Sequence, residues 1–417
     1  AQLEGISLTV DDKLRIAEQL DRLGVHYIEG GWPGANPKDV EFFQRAATEL
    51  DLKHSKLVAF GSTRRVGGDA ADDVTLGNLL DAGTDVVCIV GKCSAYHVTE
   101  ALRTGKDEGV AMVADSVRFL KSHGRTVFFD AEHFFDGYAD DPEFSLRVLT
   151  GAAEAGADCL VLCDTNGGSL PGRIESMVRD VVAAVDCAVG VHLHNDTGCG
   201  VANALAGVAA GATHVQGTIN GYGERVGNCD LVPIIANLTL KMGVETLPEG
   251  HLAELTPVAH HVAELVNFAA DPQQPYVGAT AFAHKAGLHT SAIARRPDAY
   301  EHVAPELVGN GTRFLVSEMS GRSTIELKAT QLDIELDDET LGEIVETLKE
   351  LEYAGYHFEA ADASLELLMR AAAGWQHGYF ELESFSVDVG HRSGSGSRAW
   401  NEVAVEVETE ATVKVLV

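Results

Sequence analysis

From the start of the chain to about residue 245, short apolar runs alternate with stretches whose apolar residues recur every three or four positions. The runs cover residues 26–32, 56–61, 85–91, 126–132, 159–164, 188–192 and 214–220. Helical periodicity follows each of them, at 37–50, 70–82, 109–122, 142–155, 171–185, 200–210 and 231–242. A parallel strand buried on both faces reads as a continuous apolar run, and a helix between two such runs supplies the crossover that parallel pairing requires. Repeated βα units of this length predict a parallel sheet, either open and doubly wound or closed into a barrel.

Polar residues decide between the two. Glu29, Glu132, Asp164 with Thr165, His192 with His194, and Asn220 all stand where the runs end. A β/α barrel builds its site from several strand ends on one face, whereas an open sheet gathers its ligand at one crevice. No GxGxxG follows the first run to support a dinucleotide fold. The predicted architecture is therefore an α/β fold of the (β/α)8 TIM-barrel type. Only seven strands are visible, because residues 10–23 form an amphipathic helix, ending at Gly24 and capped by Asp11 or Asp12, with no strand before it. The expectation is that the chain begins inside the fold, without the first strand.

Beyond residue 250 the pattern changes. Residues 253–268 look helical, 271–275 break that helix, and a Gly- and His-rich stretch follows at 277–293. Helical periodicity returns over 338–373, with Leu341, Ile344, Leu348 and Leu351 on one face, and residues 379–389 and 402–417 alternate as strands around a flexible turn at 391–397. The expected domains are a barrel at 1–250, a helical linker region at 251–375, and the beginning of an α+β regulatory domain at 376–417.

Composition narrows the partners. The 417 residues carry 31 Lys and Arg against 63 Asp and Glu, a formal net charge of −32, which argues against nucleic acid and anionic membrane surfaces. The pairs Arg64-Arg65 and Arg295-Arg296 remain as candidates for holding a small phosphorylated ligand. Seven cysteines without a CxxC pair, and no apolar stretch of membrane-spanning length, predict a reduced cytoplasmic protein.

The most informative segment is Val189-Gly-Val-His192-Leu-His194-Asn-Asp196. Alternate side chains of a strand share a face, so both histidines can address one metal ion while Val191 and Leu193 point the other way. Two hydrogen-bonded strand histidines are the plainer alternative. Nitrogen and oxygen donors without a thiolate suggest Mg²⁺, Mn²⁺ or Zn²⁺, and Asn228 can add a carbonyl oxygen. Glu224 lies in a loop whose glycines at 221, 223 and 227 allow tight turns near a ligand. Glu132 closes an apolar strand, where a carboxylate is costly unless paired or functional.

Seven segments carry a family resemblance: residues 28–37, Phe60-Gly-Ser-Thr-Arg64, residues 130–138, Leu162-Cys-Asp-Thr-Asn-Gly-Gly168, His192-Leu-His-Asn-Asp196, Gly223-Glu-Arg-Val-Gly-Asn228 and residues 281–289. On these the chain resembles the citramalate synthase branch of the isopropylmalate synthase-like family, metal-dependent acyl-CoA condensing enzymes that include homocitrate synthases. The resemblance implies a metal-assisted condensation of pyruvate with acetyl-CoA to (R)-citramalate, with thioester hydrolysis, in branched-chain amino acid and isoleucine biosynthesis. It implies His192, His194 and Asn228 as metal ligands, and Glu132 and Thr165 near the keto-acid carboxylate and the metal-bound water, with Glu132 also among the catalytic residues. It further implies a proton-transfer pair of Glu224 and His289, the latter from the partner subunit of a homodimer, with Tyr300 nearby.

The family's first strand ends in an Arg-Asp-Gly segment whose Asp is the remaining ligand, and Ala1-Gln-Leu-Glu-Gly5 resembles the residues immediately after that segment. Both the Arg and the Asp are thus expected outside the chain. Isopropylmalate or homocitrate synthesis, a catalytically silent dimerisation partner and a carbon–carbon lyase are the alternatives. Leu57 and Val90 are candidates for limiting the pocket.

Overall fold

A computed structural model describes residues 3–285, 289, 292–293, 296–317, 319–359, 361–375, 381–393 and 405–416. The order begins α1 (Val10–Leu23), β1 (Tyr27–Gly31), α2 (Pro37–Glu49), β2 (Lys56–Ser62), α3 (Val74–Asp81), β3 (Val86–Lys92) and α4 (Lys106–Ser122). It continues with β4 (Thr126–Glu132), α5 (Phe134–Asp140), α6 (Pro142–Glu154), β5 (Cys159–Asp164) and α7 (Pro171–Ala184). Then come β6 (Ala188–Leu193), α8 (Gly200–Ala209), β7 (His214–Gln216), α9 (Leu231–Met242) and α10 (Leu255–Leu265). The seven strands pair in chain order and all in parallel, as the alternating pattern requires.

The sheet is curled. Strands lie about 4.8 Å apart, so β1 and β4 would be roughly 14 Å apart if the sheet were flat. Instead Tyr27 on β1 and Phe128 on β4 meet edge to face at 4.9 Å, and His214 on β7 lies 5.0 Å from Phe128 and 5.8 Å from Tyr27. Three strands spread across the sheet converge on one interior. Val58, Val86, Cys88, Phe128, Cys159 and Val161 fill it. The opposite faces of the strands, including Val87, Ile89, Phe129, Leu160, Leu162 and Val191, pack against the helices. A third cluster joins Leu23 to α9 and α10.

Helix ends follow local chemistry. The N-cap of α1 is Thr9 rather than Asp11 or Asp12, because its hydroxyl accepts from the Asp12 N–H while the Asp12 carboxylate reaches back to the Thr9 N–H. Gly24 ends the helix with φ of 92°, and a Cβ there would stand 2.5 Å from Pro248. Burial alone would raise the pKa of Asp21, yet the N–H groups of Lys53, His54 and Ser55 donate to it and hold it below the usual range. This ties α1 to the entry of β2.

The first compact unit runs from Ala1 to Ala283 and includes Arg296–Arg313. It extends past residue 250 because the apolar face of α10 (Leu255, Val258, Ala259 and Val262) is buried with Leu23 and α9. The second unit comprises His284–Arg295 and Phe314–Val417. Its helices Arg322–Gln331, Asp338–Tyr353 and Asp362–Ala372 bury Ile325, Leu341, Ile344, Leu348, Leu365 and Met369 together. The periodicity read over 338–373 is thus two helices, separated by a turn at Gly355 with φ of 100°. Strands Glu381–Ser393 and Val405–Leu416 pair antiparallel; residues 376–380 and 394–404, within the predicted strands and turn, lie outside the described residues.

His214 inside the curl makes stability depend on pH. Burial, helped by the charge of His26, pushes its pKa down to about 4. The folded chain therefore binds fewer protons than the unfolded one between that value and the ordinary one of about 6.5. This contribution is complete above pH 6.5 and is lost as the pH falls towards 4; at about 1.4 kcal/mol per pH unit it amounts to about 3 kcal/mol. Urea midpoints measured from pH 7 to pH 4 should fall more steeply for the natural chain than for His214→Phe, and equal slopes would contradict the assignment.

Candidate active site

Alternation along β6 decides where its histidines point. Val191 and Leu193 are fully buried against the helices, so His192 and His194 face the interior, with ring centroids 5.3 Å apart. The chain after β7 returns alongside them: the Asn195 N–H donates to the Gly227 carbonyl at 2.9 Å and the Cys229 N–H to the Leu193 carbonyl at 2.8 Å. His194 and Asn228 form an antiparallel bridge. This backbone pairing delivers the Asn228 amide Nδ2 to 3.0 Å from His192 Nε2. Gly227 makes it possible, with φ of 99°, and a Cβ there would lie 1.9 Å from the Gly221 carbonyl oxygen.

Burial, then the charges of His192 and Arg225, push the His194 pKa down to about 4. Among the described residues its Nδ1 is buried without a hydrogen-bond partner. An imidazole so placed is neutral at physiological pH and keeps a lone pair for an electrophile. On the neighbouring strand Gln216 stands in register with His192, and its Oε1 lies 2.7 Å from His192 Nδ1.

The ends of β3 and β4 supply the other wall. Glu132 forms an ion pair with Lys92, a partner that the sequence pattern does not announce. The His133 N–H donates to Thr165 Oγ1 at 2.8 Å, so Glu132 and Thr165 are held together through the backbone between them. The His133 and His97 rings stack at 3.8 Å. Burial lowers the pKa of both, aided in His133 by the charge of His97 and in His97 by that of Lys92.

Arg225 ties three loops together. Its Nε and Nη2 donate to the Asp196 carboxylate at 2.7 and 2.8 Å, and Nη2 also donates to the Thr165 carbonyl at 2.9 Å. The loops after β5, β6 and β7 are thereby one laced structure. Glu224 is its exposed neighbour, with a carboxylate oxygen 3.6 Å from Arg225.

The structure thus brings His192, His194 and Asn228 together in one group, and Glu132 with Thr165 in another. Tyr300 belongs to the first unit and is half exposed. His289 is an exposed helical residue of the second. Asn220 leaves the strand-end set: β7 stops at Gln216, a short helical turn comes next, and the Asn220 Nδ2 donates to the Ala259 carbonyl. Leu57 packs with the helix-facing core and limits no interior pocket, whereas Val90 shares the inward face with Cys88. The buried Arg64 guanidinium is taken up by Glu108 and Asp115, and Arg296 pairs with Asp298; Arg295 lies outside the described residues.

A protein-family model described as HMGL-like matches residues 1–262, and one described as homocitrate synthase post-HMGL domain-like matches residues 276–355. The (R)-citramalate synthase of Streptomyces coelicolor is 57% identical over 98% of the chain and 76% of its own length. That of Aquifex aeolicus is 47% identical over 98% of the chain and 78% of its own length. A 2-isopropylmalate synthase of Sulfolobus acidocaldarius is 33% identical over 87% of the chain and 90% of its own length. In fold, the Bacillus subtilis HMG-CoA lyase superposes with a TM-score of 0.53 at 20% identity, covering 63% of this chain and 89% of that one.

Replacing Gly227 by Ala should break the pairing of its loop with β6. Hydrogen exchange at the Asn195 amide should then lose protection by about tenfold or more, corresponding to roughly 1.4 kcal/mol of local opening, while amides of β3 and β4 keep theirs. Unchanged Asn195 protection would show that the loop tolerates a side chain.

Proposed function

The chain belongs to the HMGL-like family and, within it, to the citramalate synthases, acetyl-CoA-dependent condensing transferases; we propose that the laced strand ends are the site where it joins pyruvate to acetyl-CoA. The observation that carries this reading is the convergence of His192, His194 and Asn228 at one end of the curled sheet.

These residues offer two imidazoles and an amide oxygen, and the buried His194 nitrogen, without a partner among the described residues, is an atom a cation would satisfy. Among the described residues no three His, Cys, Asp or Glu side chains gather around one point; a divalent ion held by the two imidazoles and the amide oxygen would keep open positions for substrate. Such an ion, Mg²⁺, Mn²⁺ or Zn²⁺, would supply polarisation of the keto oxygen when bound. Thr165 Oγ1 accepts from the His133 N–H, which leaves its own O–H to donate to the pyruvate carboxylate. Lys92 balances Glu132 and brings positive charge to the same wall.

The chemistry then needs one proton removed from the acetyl methyl, a carbon–carbon bond from that carbon to C2 of pyruvate, and a proton delivered to the keto oxygen; water cleaves the thioester and releases CoA. We assign proton transfer to Glu224 and to His289 of a partner subunit in a homodimer, with Tyr300 assisting. The cytoplasm, where free thiols persist, is the proposed compartment.

Protein expressed from the complete coding sequence and supplied with Mn²⁺ should release CoA with a higher kcat/KM for pyruvate than for 2-oxoisovalerate or 2-oxoglutarate. Preference for either longer acid would move the chain to isopropylmalate or homocitrate synthesis. His192→Ala should lower the pyruvate rate by about 100-fold or more.

Mixing inactive Glu224→Ala and His289→Ala subunits tests the shared site. Half of the reassorted dimers are hybrids with one intact site of two, so about a quarter of the natural rate should return. No recovery would place both residues in one subunit's site.

A further inference from the structure

Gln216 stands between His192 and a buried carboxylate. Its Oε1 is 2.7 Å from His192 Nδ1, and its Nε2 donates to Asp130 Oδ1 at 2.9 Å. Asp130 is 3% exposed, and the same Oδ1 also accepts the Cys88 thiol proton at 3.1 Å. Its other oxygen lies 4.0 Å from His192 Nδ1.

The Asp130 oxygen facing Gln216 also takes the Cys88 thiol proton and so acts as an acceptor, and an amide has one donating and one accepting end. Asp130 therefore fixes which way round Gln216 lies: NH₂ towards β4 and the carbonyl towards His192. A carbonyl oxygen at 2.7 Å from Nδ1 requires that nitrogen to carry the proton, which leaves Nε2 with its lone pair. The contact at the other side of the ring needs the same tautomer, since the Asn228 NH₂ donates to Nε2. Reversing Gln216 would bring its NH₂ against an Nδ1–H on one side and its carbonyl against a carboxylate on the other, two repulsive contacts in a confined place.

We propose that Gln216, oriented by Asp130, is a positioning residue that locks His192 in the Nδ1–H tautomer and presents Nε2 to the divalent cation; the second half of this statement rests on the metal site proposed above. Histidine ligands commonly donate their other ring N–H to an oxygen, which sets tautomer and basicity, and removing that partner costs about 10- to 100-fold in metal affinity. Here the oxygen is an amide, and the sheet curl brings in the carboxylate behind it.

The test has two independent arms on the protein from the complete coding sequence. In the first, long-range ¹H–¹⁵N spectra of the metal-free, histidine-labelled protein report the His192 tautomer, assigned by its loss in His192→Asn. The natural protein should show Nδ1 protonated; Gln216→Met should give a mixture of both tautomers. Gln216→Glu should restore the single tautomer, because its carbonyl still accepts from Nδ1–H while its protonated oxygen donates to Asp130. A mixed or Nε2–H tautomer in the natural protein, or no change in Gln216→Met, overturns the proposal. In the second arm, Mn²⁺ binding alone is measured by calorimetry, and Gln216→Met should bind about 10- to 100-fold more weakly. Equal binding by both overturns the positioning role. If the natural protein binds no Mn²⁺, the metal site itself is refuted, and the tautomer arm alone decides whether Gln216 locks His192.

Discussion

Curling of the sheet is the constraint on which the site depends. Every second side chain of seven parallel strands is committed to the inner face, and the curl turns that face into a confined volume. Its lower part is apolar, with Phe128, Cys159 and Val161. Towards the strand ends the same alternation places Asp130, Glu132, His192, His194 and Gln216. Without the curl, Gln216 on β7 and Asp130 on β4 would lie far beyond hydrogen-bonding reach rather than 2.9 Å apart.

Parallel strands buried on both faces are legible in the sequence because they are apolar throughout, so the seven runs and their order can be read with small errors at the ends. The inward direction of His192 and His194 is legible for the same reason, since period two leaves no choice once Val191 and Leu193 are buried. The motif around Asn228 identifies the loop but not how it reaches the site. That depends on backbone pairing of residues 227–229 with 193–195, which leaves no trace in side-chain pattern.

The features that a sequence pattern does not carry are mostly long-range pairings. Lys92 looks like the polar end of a strand, and only register shows it beside Glu132. Asp130 is open to inference, two residues before Glu132 and so on the same face, yet its partners come from β3 and β7. Asn220 misleads because β7 is short: a polar residue after an apolar run reads as a strand end, while the backbone has already turned with φ of 63°. Thr9 displaces Asp11 and Asp12 as the cap because a reciprocal pair with Asp12 satisfies two N–H groups, where one aspartate would satisfy fewer.

The guanidinium of Arg225 has one more consequence. Three loops that would otherwise fluctuate separately are ordered by contacts made within the protein, to Asp196 and to the Thr165 carbonyl. Their conformational entropy is lost when the chain folds rather than when a ligand arrives. A small ligand offers few atoms with which to organise its surroundings, and loops ordered before the encounter leave it less to organise.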